Sequence, residues 1–209
     1  MRKSIGEAIL FLYEGETEGE FYPKIFRDNL DFRSCEVRMS AQCLKGNFNI
    51  NSKVINAIDN YLAALKNKNE KRFLYVFVAL DREKRAEFMA PIDLEVIQKN
   101  IGSKLVKSVE TIVATQDFES WLFIDIENIY KYLRAPAKMR NVNKYKNYES
   151  FNNTDLSKLF LLHKKQYRKG KKVEGLLSML DLQKIHDNCQ DLKNGIESMK
   201  QLCKKTVSK

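Results

Sequence analysis

Histidine, cysteine, proline and glycine are all scarce in this chain of 209 residues, at 2, 4, 3 and 8. The four cysteines (Cys35, Cys43, Cys189, Cys203) show no CxxC spacing, and the two histidines (His163, His186) stand far from the first pair. That pattern argues against a zinc site or a disulfide framework. It favours a reducing, cytoplasmic setting, with Cys189 and Cys203 as buried thiols. So little glycine and proline, beside 44% hydrophobic and 31% charged residues, excludes a collagen-like or low-complexity chain. Long apolar runs are missing too. The longest, such as Phe73–Leu80, fall well short of the roughly 20 residues that cross a bilayer, so no membrane span is expected. Ala8–Tyr13 runs straight into EGETEGE without a small-residue cleavage site, so no signal peptide is expected either. What remains is a globular chain, with one domain of moderate size or a core domain and a small appendage.

Charge is present in excess and in one place. The formal net charge is +10, and the segment from Arg134 to Lys172 alone carries 12 basic residues against Glu149 and Asp155. The rest of the chain sums to about zero. Tyr132, Tyr145, Tyr148, Phe151, Phe160 and Tyr167 lie in or beside that segment. Cations interleaved with aromatics suit phosphate pairing and base stacking on nucleic acid. The plainer alternative is a solvated lysine-rich surface with the aromatics in the core beneath it.

Periodicity gives the layout. Ala8–Tyr13 (AILFLY) reads as a strand covered on both faces. Thr17 with Glu20 has the spacing of a capping box, and Phe21, Tyr22, Ile25, Phe26 and Leu30 follow at helical intervals. Cys35–Ala41 alternates like a strand, Gly46-Asn47 marks a turn, and Val54 to Leu65 is an amphipathic helix. Phe73–Leu80 (FLYVFVAL) is the strongest buried strand. A helix is expected over Asp93–Leu105, a strand over Glu110–Ala114, helices over Ser120–Phe123 and Ile126–Leu133, and short helices with loops beyond Pro136. Strands alternating with helices imply an α/β layered domain with a mostly parallel sheet. In such sheets, ligands bind outside the carboxyl ends of the strands.

Two of those ends are acidic. AILFLY finishes at Glu14, and FLYVFVAL at Asp81 with Glu83 beyond it. Glu18, four residues after Glu14, can point back to the same crevice from a first helical turn. Carboxylates gathered there would repel one another and raise their own pKa values unless a cation joined them. Mg²⁺ suits such a set, because it takes one or two carboxylates and keeps its other positions for water and phosphate oxygens. The competing reading leaves Glu16, Glu18 and Glu20 to complement the helix dipole and Asp81 to cap a helix. It explains Glu16 and Glu20 well, but not acids at two strand ends together.

The motif YEGETEGEFY at 13–22 resembles the signature of TOPRIM domains, in which a glutamate-glycine pair ends the first strand. More narrowly, EGxTExxF resembles TOPRIM-like nucleases related to the OLD (overcoming-lysogenization-defect) family, and small stand-alone TOPRIM-like proteins of bacterial defence loci. VALDRE places Asp81 and Glu83 where these proteins carry DxD, and TQDFESWLF (115–123) resembles a later element with Glu119 as its acid. LHKKQYRKGKK and DLQKIHDNCQDL resemble their C-terminal part. The resemblance implies a TOPRIM/Rossmann-like fold of about four mostly parallel strands between helices, plus a basic helical C-terminal extension. It divides the chain into a TOPRIM-like catalytic core over 1–133 and a basic helical region over 134–209 packed on it.

Carried onto this chain, the resemblance makes Glu14 the general acid/base or metal-binding glutamate, and Asp81 and Glu83 catalytic metal ligands. Glu18 becomes the second glutamate of the OLD-like motif, and Glu119 a further acid of the set. The cofactor is Mg²⁺ or Mn²⁺. Gly15 would let the backbone turn tightly and approach phosphate. Lys164, Lys165, Arg168, Lys169, Lys171 and Lys172, the densest basic cluster, are the candidate nucleic-acid contacts. Asp117 is read as a helix cap, Trp121 as a core anchor and His163 as a surface histidine. The function implied is a metal-dependent nuclease that hydrolyses DNA or RNA, in defence against foreign nucleic acid. The alternative is a non-catalytic nucleic-acid-binding or adaptor subunit that docks an AAA/ABC-type ATPase encoded nearby.

Overall fold

The computed structural model describes residues 5–31, 36–82 and 92–207. In its first half, strand and helix alternate: β1 (Gly6–Tyr13), α1 (Glu16–Asn29), β2 (Arg38–Cys43), α2 (Ile50–Asn67), β3 (Arg72–Asp81), α3 (Leu94–Asn100) and β4 (Val106–Ala114). The strands form one sheet in the order β2-β1-β3-β4, every pair parallel. Each parallel step needs a crossover, and each crossover here contains a helix. The architecture is α/β, a Rossmann-like layered sheet between helices. After it come α4 (Phe118–Leu122), α5 (Ile126–Leu133), α6 (Asn153–Leu162), α7 (Glu174–Leu177), α8 (Leu182–Asn188) and α9 (Gln190–Val207), with short 3-10 turns among them.

Side-chain alternation along the central strands splits the core in two. Ile9, Phe11, Phe77 and Ala79 face α1 and the helices that follow β4. Ala8, Leu10, Leu12, Val76, Val78 and Leu80 face α2 and α3, where Val54, Ala57, Ile58 and Ile97 close the layer. On the first face α9 lies against β4 so closely that a Cβ on Gly195 would stand 2.3 Å from Ile112 Cδ1, so that position has room only for glycine. The buried Asp125 carboxylate ties the same layer together: it accepts from Asn128 Nδ2 (2.6 Å), Asp181 N (2.8 Å) and Lys184 Nζ (3.3 Å). Among the described residues no helix is long and apolar enough to cross a membrane.

Some expectations shift. The second strand runs from Arg38 to Cys43 rather than over 35–41; it is a sheet edge whose faces are only partly covered, so its pattern is weak, and Cys35 lies outside the described residues. The helix expected over 93–105 stops at Asn100, and β4 begins at Val106 instead of Glu110. Cys203, read as a thiol, is disulfide-bonded, whereas Cys43 and Cys189 are free. Local spacing screens for neighbouring cysteines and is blind to partners that only folding brings together.

Candidate functional site

The crevice beyond the carboxyl ends of β1, β3 and β4 is built from the turns that leave those strands. At the first, Gly15 caps α1 in ordinary extended backbone (φ −132°, ψ 172°). Glu18 then turns back, and its Oε1 accepts the Gly15 N–H at 3.2 Å. The cap therefore sits two residues before Thr17, where sequence spacing put it. Spacing rules look for a capping side chain, whereas here a bare backbone N–H is satisfied by a carboxylate from inside the helix. Gly15 is not needed for its φ. Its lack of a side chain leaves room for Glu18 to turn back, since a Cβ there would lie 3.0 Å from Glu18 Oε2 and press on that carboxylate. Thr17 is buried instead, and its Oγ1 accepts the Gly170 N–H at 3.0 Å.

At the second turn, register pairs Tyr13 with Ala79, so Glu14 emerges next to the end of β3. Its Oε2 accepts the Asp81 N–H at 3.3 Å. The two acids that the sequence places at separate strand ends thus meet. Asp81 Oδ1 in turn accepts the Phe118 N–H at 2.8 Å, from the first residue of α4. The third turn adds Asp117 and Glu119. Asp117 Oδ2 accepts the Asn153 N–H at 2.8 Å, while its Oδ1 is buried without a hydrogen-bond partner. Asp117 sits at the cap position of α4 without capping it; its carboxylate belongs to the crevice. Glu119 is 1% exposed, and its Oε1 takes both the Tyr167 hydroxyl and the Lys169 ammonium at 3.1 Å. Glu83 lies outside the described residues.

Burial and mutual repulsion leave this group electrostatically strained. Asp81 is pushed up to about 9, by burial first and then by Glu18, Glu14, Glu119 and Asp117. Glu18 is raised to about 7 by burial, with Glu119 and Glu14 adding to it and Lys169 easing it. Asp117 rises to about 6, again chiefly from burial. Burial works to lower the Lys169 pKa, but Glu119, Asp81 and Asp117 outweigh it and the net shift is upward. These are the signs of a site with more negative charge than its surroundings can solvate.

A hard divalent cation meets that need by donor chemistry. Five carboxylates gather at the crevice, one buried carboxylate oxygen there has no hydrogen-bond partner, and an ammonium already supplies positive charge. Among the described residues, no three or more His, Cys, Asp or Glu side chains are arranged to hold a metal ion.

The basic cluster is less uniform than its sequence. Lys165 Nζ donates to the Tyr132 carbonyl and lies 4.6 Å over the Tyr132 ring, so it fastens the loop. Lys169 points into the acids. Arg168 bonds Gln166 through Nε and Nη2 at 3.1 and 3.0 Å. Lys164 and Lys172 are exposed, and nothing is described of the Lys171 side chain. The aromatics of this segment are turned inward, against the stacking role their sequence suggested. Tyr145 and Phe160 are core residues, and Tyr132, Tyr148, Phe151 and Tyr167 pack against that core. Tyr145 stacks on Phe123 at 5.0 Å between centroids and meets Phe151 at 4.8 Å. Burying that apolar area outweighs any gain from exposing it. His163 is half-buried with its ring edge-on to Tyr130. Sequence reasoning missed Asp117, Thr17 and Tyr167 as parts of the crevice. Only the pairing of Asp117 with Glu119, two residues apart, gave a signal for any of them.

No curated protein matches the chain. Among solved structures, the C-terminal region of the Burkholderia pseudomallei OLD protein is similar to it at 14% identity and a TM-score of 0.44, over 92% of this chain and 100% of that one. The family described as Domain of unknown function (DUF4276) matches residues 13–200, and the chain belongs to that family.

Proposed function

We propose that the protein is a metal-dependent nuclease, hydrolysing phosphodiester bonds of DNA or RNA with Mg²⁺ or Mn²⁺. One observation carries the reading: Glu14 and Asp81 stand at the ends of adjacent strands, where the Glu14 carboxylate accepts the Asp81 backbone N–H at 3.3 Å, inside a set of acids whose charges, with burial, raise Asp81. Glu14, Asp81, Glu18 and Glu119 are the candidate ligands. Among the described residues no three of them form a ready-made metal set, so the ion would take one or two of these carboxylates and keep its other positions for water and phosphate, or draw more of them together. Glu83 would be a further ligand by resemblance. When bound, the ion would lower the pKa of a water and neutralise charge on the phosphate. Glu14 would orient or deprotonate that water in this reading, and the Phe118 N–H fixes the Asp81 carboxylate. Burial excludes bulk water from Glu119 and Glu18.

In this reading residues 1–133 form the catalytic core and 134–209 the basic region that holds the substrate backbone, with Gly15, Lys164, Arg168, Lys171 and Lys172 near phosphate. Lys165 and Lys169 serve it indirectly, through the loop and the acids. The EGxTExxF resemblance supports a role in defence against foreign nucleic acid.

The test is cleavage of supercoiled plasmid and of single-stranded RNA with Mn²⁺, comparing the wild type with Glu14→Gln and Asp81→Asn. Cleavage lost in both variants, with their circular dichroism unchanged, is the expected result. Undiminished cleavage in both would overturn the assignment. A second reading, a non-catalytic adaptor that docks an ATPase, draws on the Lys169–Glu119 ion pair, which partly neutralises the crevice without a metal. It entails salt-sensitive nucleic-acid binding, no turnover, and binding unaffected by Asp81→Asn.

A further inference from the structure

The chain from Tyr167 to Gly170 returns from the C-terminal layer and straps the acid crevice. It is pinned at three points. The Tyr167 hydroxyl and the Lys169 ammonium both reach Glu119 Oε1 at 3.1 Å, and the Gly170 N–H donates to Thr17 Oγ1 at 3.0 Å in the first turn of α1. Gly170 has φ +74°, and a Cβ on it would stand 2.7 Å from Glu16 Oε2. Glycine is therefore favoured there for its conformation, whereas the exposed Glu16 side chain would only have to swing aside to admit a Cβ.

The two ends of the ion pair differ. The Glu119 side chain is 1% exposed, whereas that of Lys169 is 54% exposed. A carboxylate so deeply buried needs a counter-charge. A half-exposed lysine on a flexible stem can swing out to solvent once another cation takes its place at the carboxylate. Asp81 and Asp117 act on the same ammonium as Glu119 does, so it serves the set and not one residue.

We propose that Lys169 is the resident counter-cation of the crevice and that a divalent ion must displace it from Glu119, so that the strap from Tyr167 to Gly170 regulates metal occupancy. This rests on reading the crevice as a metal site. Displacement is an exchange of one cation for another at a carboxylate oxygen. It requires no bond cleavage and no redox partner.

The experiment is Mn²⁺ binding to the full chain, followed by calorimetry and by the loss of the free-ion electron paramagnetic resonance signal. Lys169→Met should bind Mn²⁺ about tenfold tighter than wild type, the scale on which one close charge shifts an ionic equilibrium. Lys169→Arg, which keeps the charge and pairs with a carboxylate at least as well, should bind Mn²⁺ no tighter than wild type. A second readout leaves the sequence unaltered: acetylation of Lys169 by acetic anhydride, quantified by mass spectrometry, should speed up several-fold when Mn²⁺ is added. Equal or weaker Mn²⁺ binding by Lys169→Met, or acetylation indifferent to Mn²⁺, would overturn the competition while leaving the metal site standing. No Mn²⁺ binding by either wild type or Lys169→Met would overturn the metal site and the competition with it.

Discussion

The acid crevice and the basic segment carry opposite charge and are built on opposite principles. The crevice gathers Glu14, Glu18, Asp81, Asp117 and Glu119 from three separate turns. All five are buried or half-buried, and hydrogen bonds with Gly15, Asp81, Phe118 and Asn153 fix the positions of four of them. The basic segment spreads its cations along one stretch of chain, and most of them face solvent. Charges in the first act on one another through a poorly screened interior, so the removal of one alters the rest. Charges in the second are screened within about 10 Å of water at ordinary salt, so each acts nearly alone. Geometry specifies the crevice, and field strength specifies the segment.

The largest expected effect breaks the crevice. If the acids act as a unit, Glu14→Gln or Asp81→Asn should reduce Mn²⁺-dependent cleavage by at least about a hundredfold, the scale of losing one essential electrostatic group in a preorganised site. Rates of plasmid nicking at saturating Mn²⁺ measure it. The basic segment should yield only in steps. Replacing Lys164, Arg168 and Lys172 together by Ala should weaken nucleic-acid binding about tenfold and flatten its salt dependence by nearly one unit of slope for each phosphate left without a cation. Each single replacement should cost a few-fold at most. Fluorescence anisotropy across a salt series distinguishes the two patterns.

A smaller effect concerns pH. Asp81 at about 9 and Glu18 at about 7 both lie above their ordinary values of 3.8 and 4.5. The folded chain therefore holds protons that the unfolded chain releases. The stability these two groups contribute is greatest at low pH and is lost as pH rises, through about 7 for Glu18 and about 9 for Asp81. Asp81→Asn keeps an acceptor for the Phe118 N–H and removes the charge. In EDTA its gain in Tm over wild type should be larger at pH 9 than at pH 5, because the loss begins above 3.8 and grows up to about 9, on a scale of roughly 2–4 °C per kcal/mol. Melting curves at the two pH values show whether the gain depends on pH; an equal gain at both would mean that burial does not strain Asp81. Gly170→Ala should lower Tm by a few degrees through its positive φ. It should also slacken the strap, which acetylation of Lys169 would report.

The contrast also explains what could be read in the sequence. AILFLY and FLYVFVAL are central strands buried on both faces, so their apolar runs are unbroken and the acids that end them stand out. Glu14, Asp81 and the four-stranded parallel sheet were legible for that reason. The bounds of β2 are blurred because an edge strand buries little on either face, so burial does not mark where it starts and stops. Thr17 was mistaken for a cap because its hydroxyl serves Gly170, a residue 153 positions away. Asp117 and Tyr167 join the crevice through contacts with Asn153 and Glu119, which no local spacing encodes. The aromatics between 132 and 167 misled for a related reason: the cations beside them are exposed, but helical and turn geometry sends the rings the other way.

The most direct test of the central claim is a crystal soaked in Mn²⁺ and measured for anomalous scattering. The account expects a peak within coordination distance of the Glu14 and Asp81 carboxylates, with the Lys169 ammonium withdrawn from Glu119. A map with no peak at those carboxylates, in crystals where Mn²⁺ is saturating, would contradict it.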